Sequence, residues 1–173
     1  SAHQVEGNNI NSDWWEWERR VGLPDLSGLA CRHYELYAQD FDLAKSLNHN
    51  CHRLSIEWAR VEPEEGRFSL AELEHYRRVI LALKERGLTP VVTLHHFTNP
   101  VWFAKIGAWR SRKADKYFLR YVEQVVSSLA NEVPFWATIN EPNVYAYHSY
   151  LLGLWPPQDK SLFNARQVMR SMA

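Results

Sequence analysis

The sequence has no surplus of charge: Lys+Arg and Asp+Glu number 20 each over 173 residues. Without a basic excess it has no field to gather phosphates or anionic headgroups, which argues against nucleic acid or a membrane surface as partner. It also lacks long apolar runs, since none approaches the ~18–20 residues that cross a bilayer. The opening SAHQVEGNNINSD holds no basic stretch followed by an apolar core, so no secretory leader is visible and a cytoplasmic location is expected. The chain does not begin with Met and reads as cut from a longer polypeptide. Cysteine is scarce. Cys31 and Cys51 make neither a disulfide framework nor a metal-ligand set, and two buried free thiols are expected. Neither G-x-G-x-x-G nor G-x-x-x-x-G-K-[ST] occurs, which removes the phosphate-cradling turn of nucleotide-binding sheets. No Ser/Gly-rich linker or low-complexity tract divides the chain.

What the chain has in quantity is aromatic: eight Trp and eight Tyr. Such rings fill cores, and their faces also stack on the apolar faces of sugars; composition alone does not separate the two uses. Along the sequence a strand-like segment followed by a helical one recurs. Residues 34–47 read as a helix with Tyr37, Phe41, Ala44 and Leu47 on one stripe, followed by a strand over 51–58. Ser69 and Glu72 form a capping box that starts a helix. Its inward face is Leu70, Leu73, Tyr76, Val79, Ile80 and Leu83, and Gly87 ends it. The cycle repeats with a strand over 88–94 and a helix from Ala114 to about Asn131, whose inward face is Phe118, Tyr121, Val122, Val125 and Leu129. A strand over 134–140 and a helix from about 161 complete the pattern.

Strands alternating with helices of roughly ten residues or more imply parallel βα units. With Ser1–Ala2 read as the end of a first strand, there are four. Four units fit a small doubly wound sheet or half of a (β/α)8 barrel, and a complete barrel needs roughly 250 residues. The missing Gly-rich turn favours the half-barrel, a single incomplete domain over 1–173.

Chemistry in such barrels sits where strands end. The second strand carries Arg53 and ends near Glu57, Trp58 and Arg60. The third ends in His95, His96 and Phe97, and the fourth in Asn140 and Glu141. A carboxylate ending an apolar strand is costly to bury unless it has partners or a task. Pro142 disfavours helical geometry at Glu141, so the strand is expected to stay extended up to the carboxylate. Adjacent His95 and His96 point to opposite faces of a strand and make a poor metal site.

TINEP at 138–142 resembles the acid/base motif of glycoside hydrolase family 1. SAHQVEG at 1–7, HRLSIEWARVEP at 52–63, TLHHFTNPVWF at 93–103 and NEPNVYAYHSYLLGLWPP at 140–157 resemble further segments of the same family, in family order. The resemblance implies an α/β fold, the N-terminal half, (βα)1–4, of a TIM barrel. It implies a retaining β-glycosidase without metal or cofactor, acting on β-glucosides, β-galactosides or related small glycosides. Glu141 would be the general acid/base, and Asn140 would hold the 2-hydroxyl of the reacting sugar. Gln4 and His96 would bind hydroxyls on its far side, and Arg53 would keep the nucleophile carboxylate ionised. Many members carry Trp where this sequence has Phe97. His95 reads as structural, and Trp14, Trp15 and Trp17 as packing residues. Glu57 and Glu62 match no catalytic motif.

The family's nucleophile lies in a Thr/Ile-Glu-Asn-Gly segment, and none occurs here. The chain by itself is therefore expected to be catalytically incomplete and to self-associate through open barrel edges. A non-catalytic carbohydrate-binding or structural half-barrel is the alternative. Another NEP-bearing hydrolase of longer glucans fits less well with SAHQVEG and HHF.

Overall fold

The computed structural model describes residues 1–173. In chain order the helices are α1 (Ala2–Val5), α2 (Asp13–Val21), α3 (His33–Ser46), α4 (Trp58–Val61) and α5 (Leu70–Glu85), then α6 (Val101–Lys105), α7 (Ala114–Leu129), α8 (Pro142–Ala146) and α9 (Leu162–Met172). A 3-10 turn spans Ala108–Arg110 and a π turn Tyr147–Leu151. The sheet holds β1 (Cys51–Ser55), β2 (Thr89–His95) and β3 (Phe135–Ile139), all parallel, in the order β1-β2-β3. Cys51 lies opposite Thr89 and Ser55 opposite Thr93, while His95 lies opposite Ile139, so the C-terminal ends of the strands share one rim.

Local chemistry explains the element ends. Ser12, Ser69 and Ser161 each accept a backbone N–H from the third residue on, which starts α2, α5 and α9. Glu57 accepts the Ala59 N–H at 3.2 Å and opens α4. That cap ends the apolar run of 51–58 early, so β1 stops at Ser55. The expected first strand does not form. Ala2–Val5 coils into a helical turn, with Glu6 N–H donating to Ala2 O at 2.8 Å and the Ala2 N–H donating to Ser55 Oγ at 2.6 Å. The sheet accordingly has three strands, and the outer edges of β1 and β3 are unpaired.

The main core joins β2 to α4, α5, α7, α8 and α9, and is dominated by rings. Trp58 stacks on Tyr121 at 5.0 Å, and the Tyr121 hydroxyl donates to Leu94 O at 3.0 Å. A smaller cluster, with Phe41, Ala44, Val79 and Leu83 among its members, clamps α3 onto α5. Much of the aromatic content is thus core. Leu47 and Leu70, expected inside, are 70% and 74% exposed, because each sits at a helix end beyond the packed stripe. Both cysteines are free, as expected, but exposed rather than buried. Cys51 opens the unpaired edge strand and Cys31 lies in the turn before α3.

Candidate active site

At the strand-end rim one row of side chains crosses all three strands. Arg53 on β1 donates from Nε to Thr93 Oγ1 on β2 at 2.8 Å, and from a terminal nitrogen to Asn140 Oδ1 just past β3 at 2.7 Å. Asn140 is buried, and its backbone N–H donates to His95 O at 2.8 Å, which carries the ladder one residue beyond β3. With Oδ1 occupied by the guanidinium, the amide is oriented. Its Nδ2 faces the Glu141 carboxylate at 3.4 Å.

Glu141 is exposed to solvent. Its backbone corrects the expectation of an extended strand: φ is 44° and ψ is 60°, the left-handed region. Pro142 bars the right-handed helical region at residue 141 but begins α8 itself, and the left-handed turn joins these demands in one residue. Tyr145 N–H then donates back to Glu141 O at 3.0 Å. A left-handed non-glycine residue costs on the order of 1 kcal/mol, and such cost collects at functional sites.

His95, the last residue of β2, and His96, just beyond it, face different surroundings. His95 is buried, with Nε2 at 3.1 Å from Asn99 Oδ1, and burial lowers its pKa to about 4. His96 turns the other way, into a cavity of about 500 Å³ shared with Arg53, Thr93 and Ser55. Burial, aided by surrounding positive charge, lowers its pKa to about 3. At neutral pH both rings are uncharged, and His96 can exchange hydrogen bonds with a neutral hydroxyl without binding anions. Phe97 also adopts a left-handed backbone, φ 75°, and its ring lies parallel to Tyr145 and against Trp155.

The structure thus links Arg53, Asn140 and Glu141 by hydrogen bonds and sets His96 in the Arg53 cavity. Gln4 stands apart: it is exposed, and its Oε1 accepts from the Ser1 hydroxyl at 3.0 Å. Glu57 and Glu62 have internal partners. Glu57 accepts from Asn9 and Thr98, and Glu62 from Trp58, Gly66 and Arg120. Trp14 packs on Trp17 and Trp155, and Trp15 lies under the Arg19 guanidinium. Two contributors escape the sequence reading: Thr93, which steers Arg53, and Asn99. Both fall inside the TLHHFTNPVWF segment, but the resemblance assigns neither a role.

The model of glycosyl hydrolase family 1 matches residues 2–173. Beta-glucosidase A of Acetivibrio thermocellus is 31% identical over 181 residues, spanning 99% of this chain and 40% of that protein. The β-glycosidase from Pyrococcus horikoshii superposes with a TM-score of 0.93 at 45% identity, over 98% of this chain and 40% of its own. The family 1 β-glucosidase from Thermotoga maritima reaches 0.95 at 29% identity, over 99% and 40%, and is also solved with deoxynojirimycin and with glucoimidazole. The chain therefore spans about two fifths of these relatives' length. Three parallel βα units, the row from Arg53 to Glu141 and these matches place the fold as the N-terminal part of a TIM barrel, and the chain belongs to glycosyl hydrolase family 1.

Proposed function

We propose that this chain supplies the acid/base side of a retaining β-glycosidase acting on β-glucosides, β-galactosides or related small glycosides. The observation that carries this reading is the hydrogen-bonded row Arg53–Asn140–Glu141 at the strand-end rim. Retaining hydrolysis needs two carboxyl groups about 5–5.5 Å apart. Glu141 first protonates the leaving glycosidic oxygen and later takes a proton from the incoming water. Asn140 Nδ2, held beside that carboxylate, is placed to donate to the sugar's 2-hydroxyl. His96 meets the sugar from the cavity side as a neutral ring. Arg53, with donors left over after Thr93 and Asn140, faces the second carboxylate and keeps it ionised. Gln4 is left to the far hydroxyls of the sugar.

That second carboxylate has no counterpart in the Thr/Ile-Glu-Asn-Gly pattern within these 173 residues. The chain alone is therefore expected to give no turnover of an aryl β-glucoside. A chimera in which it replaces the corresponding segment of the Pyrococcus horikoshii β-glycosidase is expected to hydrolyse that substrate, and to lose the activity on Glu141→Gln. Turnover by the isolated chain that Glu141→Gln abolishes would overturn the assignment of the nucleophile to another segment. An active chimera indifferent to Glu141→Gln would overturn the role of Glu141.

A further inference from the structure

Outside the row described above, the most densely connected polar side chain is Asn99, which is 0% exposed. Asp13 and Asn99 embrace reciprocally. The Asp13 N–H donates to Asn99 O at 2.9 Å, the Asn99 N–H to Asp13 Oδ1 at 2.9 Å, and Asn99 Nδ2 to Asp13 Oδ2 at 2.8 Å. Nδ2 also donates to the Tyr145 hydroxyl at 3.0 Å, while Oδ1 accepts from Trp109 Nε1 and pairs with His95 Nε2, both at 3.1 Å. One amide thus ties the start of α2, the end of β2, the 3-10 turn and α8. Two of those anchors border the site. His95 precedes His96, and Tyr145 lies one turn after Glu141, whose carbonyl accepts its N–H. The strained Phe97 sits between His96 and Asn99 and stacks on the same Tyr145. A left-handed phenylalanine persists only where its surroundings over-determine it, and the bonds of Asn99 do so.

We propose that Asn99, locked by Asp13, is a positioning residue that fixes the His96 side of the sugar site against the Glu141 side. Neither residue reaches the sugar, and the proposal rests on the glycosidase reading of the site. Burial raises the Asp13 pKa to about 7, so above that pH the lock has a polarity: the Asp13 carboxylate only accepts, and the Asn99 amide donates to it. Asp13→Asn opposes two amide donors, and Asn99→Asp opposes two carboxylates. The double reversal restores one donor against one acceptor. The carboxylate that Asn99→Asp introduces would still accept from Trp109 and His95, and the Tyr145 hydroxyl can turn to donate to it.

The test uses the three variants in the protein as encoded by its gene, with aryl β-glucoside kinetics and thermal midpoints at pH 8, where Asp13 is ionised, and NMR titration of His96. Each single change is expected to lower kcat on the order of 10²-fold, because small misplacements of reacting groups cost that much. The double variant should return to within about threefold of the parent. In the parent, His96 should stay uncharged through the neutral range, because its cavity beside Arg53 disfavours the charged ring. In the single variants its midpoint should climb toward roughly 6.5, and fall again in the double variant. Singles that melt earlier yet keep kcat and a silent His96 would reduce the lock to a structural tie and overturn the proposal, as would a double variant no better than the worse single. If Asn99→Asp does not fold, Asp13→Asn against the double variant decides. If the parent shows no turnover while the chimera described above is active, the His96 titration decides the lock alone; an inactive chimera as well would defeat the glycosidase reading.

Discussion

Replacing Glu141 by Ala in the active chimera is expected to slow glycosides with poor, alkoxide-like leaving groups by on the order of 10²–10⁴-fold, the usual worth of general acid/base help. Aryl glycosides with activated leaving groups should lose far less in the first step, because their departing oxygen needs little protonation. Their second step should become limiting, since no base remains to deprotonate water. Added azide needs no such base. It should speed that step and yield a glycosyl azide of retained configuration, the product of a second displacement at a covalent intermediate. The Arg53–Asn140 bond does not pass through the Glu141 carboxylate, so removing that carboxylate leaves it in place. Equal losses for both leaving-group classes, or no azide product, would assign the acid elsewhere.

The second large effect concerns stability. Arg60→Ala is expected to destabilise the fold by about 3–5 kcal/mol near pH 8, the range for stranding one member of a buried ion pair. Arg60 Nε donates to Glu6 Oε2 at 2.8 Å, with side chains 13% and 5% exposed, and its other arm reaches Gly7 O. The Tyr76 hydroxyl also bonds Glu6, at 3.0 Å, and accepts the Glu57 N–H at 3.0 Å. Burial, opposed by Arg60, raises the Glu6 pKa to about 7. A carboxyl raised in the folded state adds stability that is fully present below its unfolded value and lost as pH rises through the folded one. Removing Arg60 takes away the opposing charge and raises Glu6 further. The penalty should therefore be greatest above pH 7 and shrink toward pH 5, where Glu6 is protonated and uncharged. Denaturant midpoints across that range measure it. A penalty that grows with acid would contradict the buried carboxylate as its cause. Arg60→Lys should recover only part, because an ammonium cannot serve Glu6 and Gly7 O in one plane.

The three strands of the sheet are legible because apolar runs at 51–58, 88–94 and 134–140 are bracketed by strong helix signals. The Ser69 cap onto Glu72 is the clearest of these. Ser1–Ala2 misleads as a strand because one or two residues carry no periodicity, and the bond from Ala2 to Ser55 is invisible without the fold. Helix-end leucines mislead for a related reason: periodicity gives a direction around the axis but not whether the neighbour extends that far. In the site, Arg53, His96, Asn140 and Glu141 are legible through motif resemblance, though their hydrogen bonding is not. Asp13 and Asn99 lie 86 positions apart, and no local pattern announces a partner at that separation. The left-handed turn at Glu141 also defies extrapolation, since the rule for residues before proline speaks against one helical basin without choosing among the rest.

That turn bears on how a site can be recognised at all. At φ 44° and ψ 60° the residues of least conformational cost are glycine and then asparagine. A sequence optimised only for this backbone would place one of them at position 141. Within these 173 residues the Glu141 side chain makes one long hydrogen-bond contact, so their packing supplies no motive for it. The mismatch between backbone and side chain is thus information about chemistry that needs no relative to read it. Of the eight non-glycine residues with positive φ, Glu141 is the one acid, so a search for acids at backbone positions that prefer glycine would single it out.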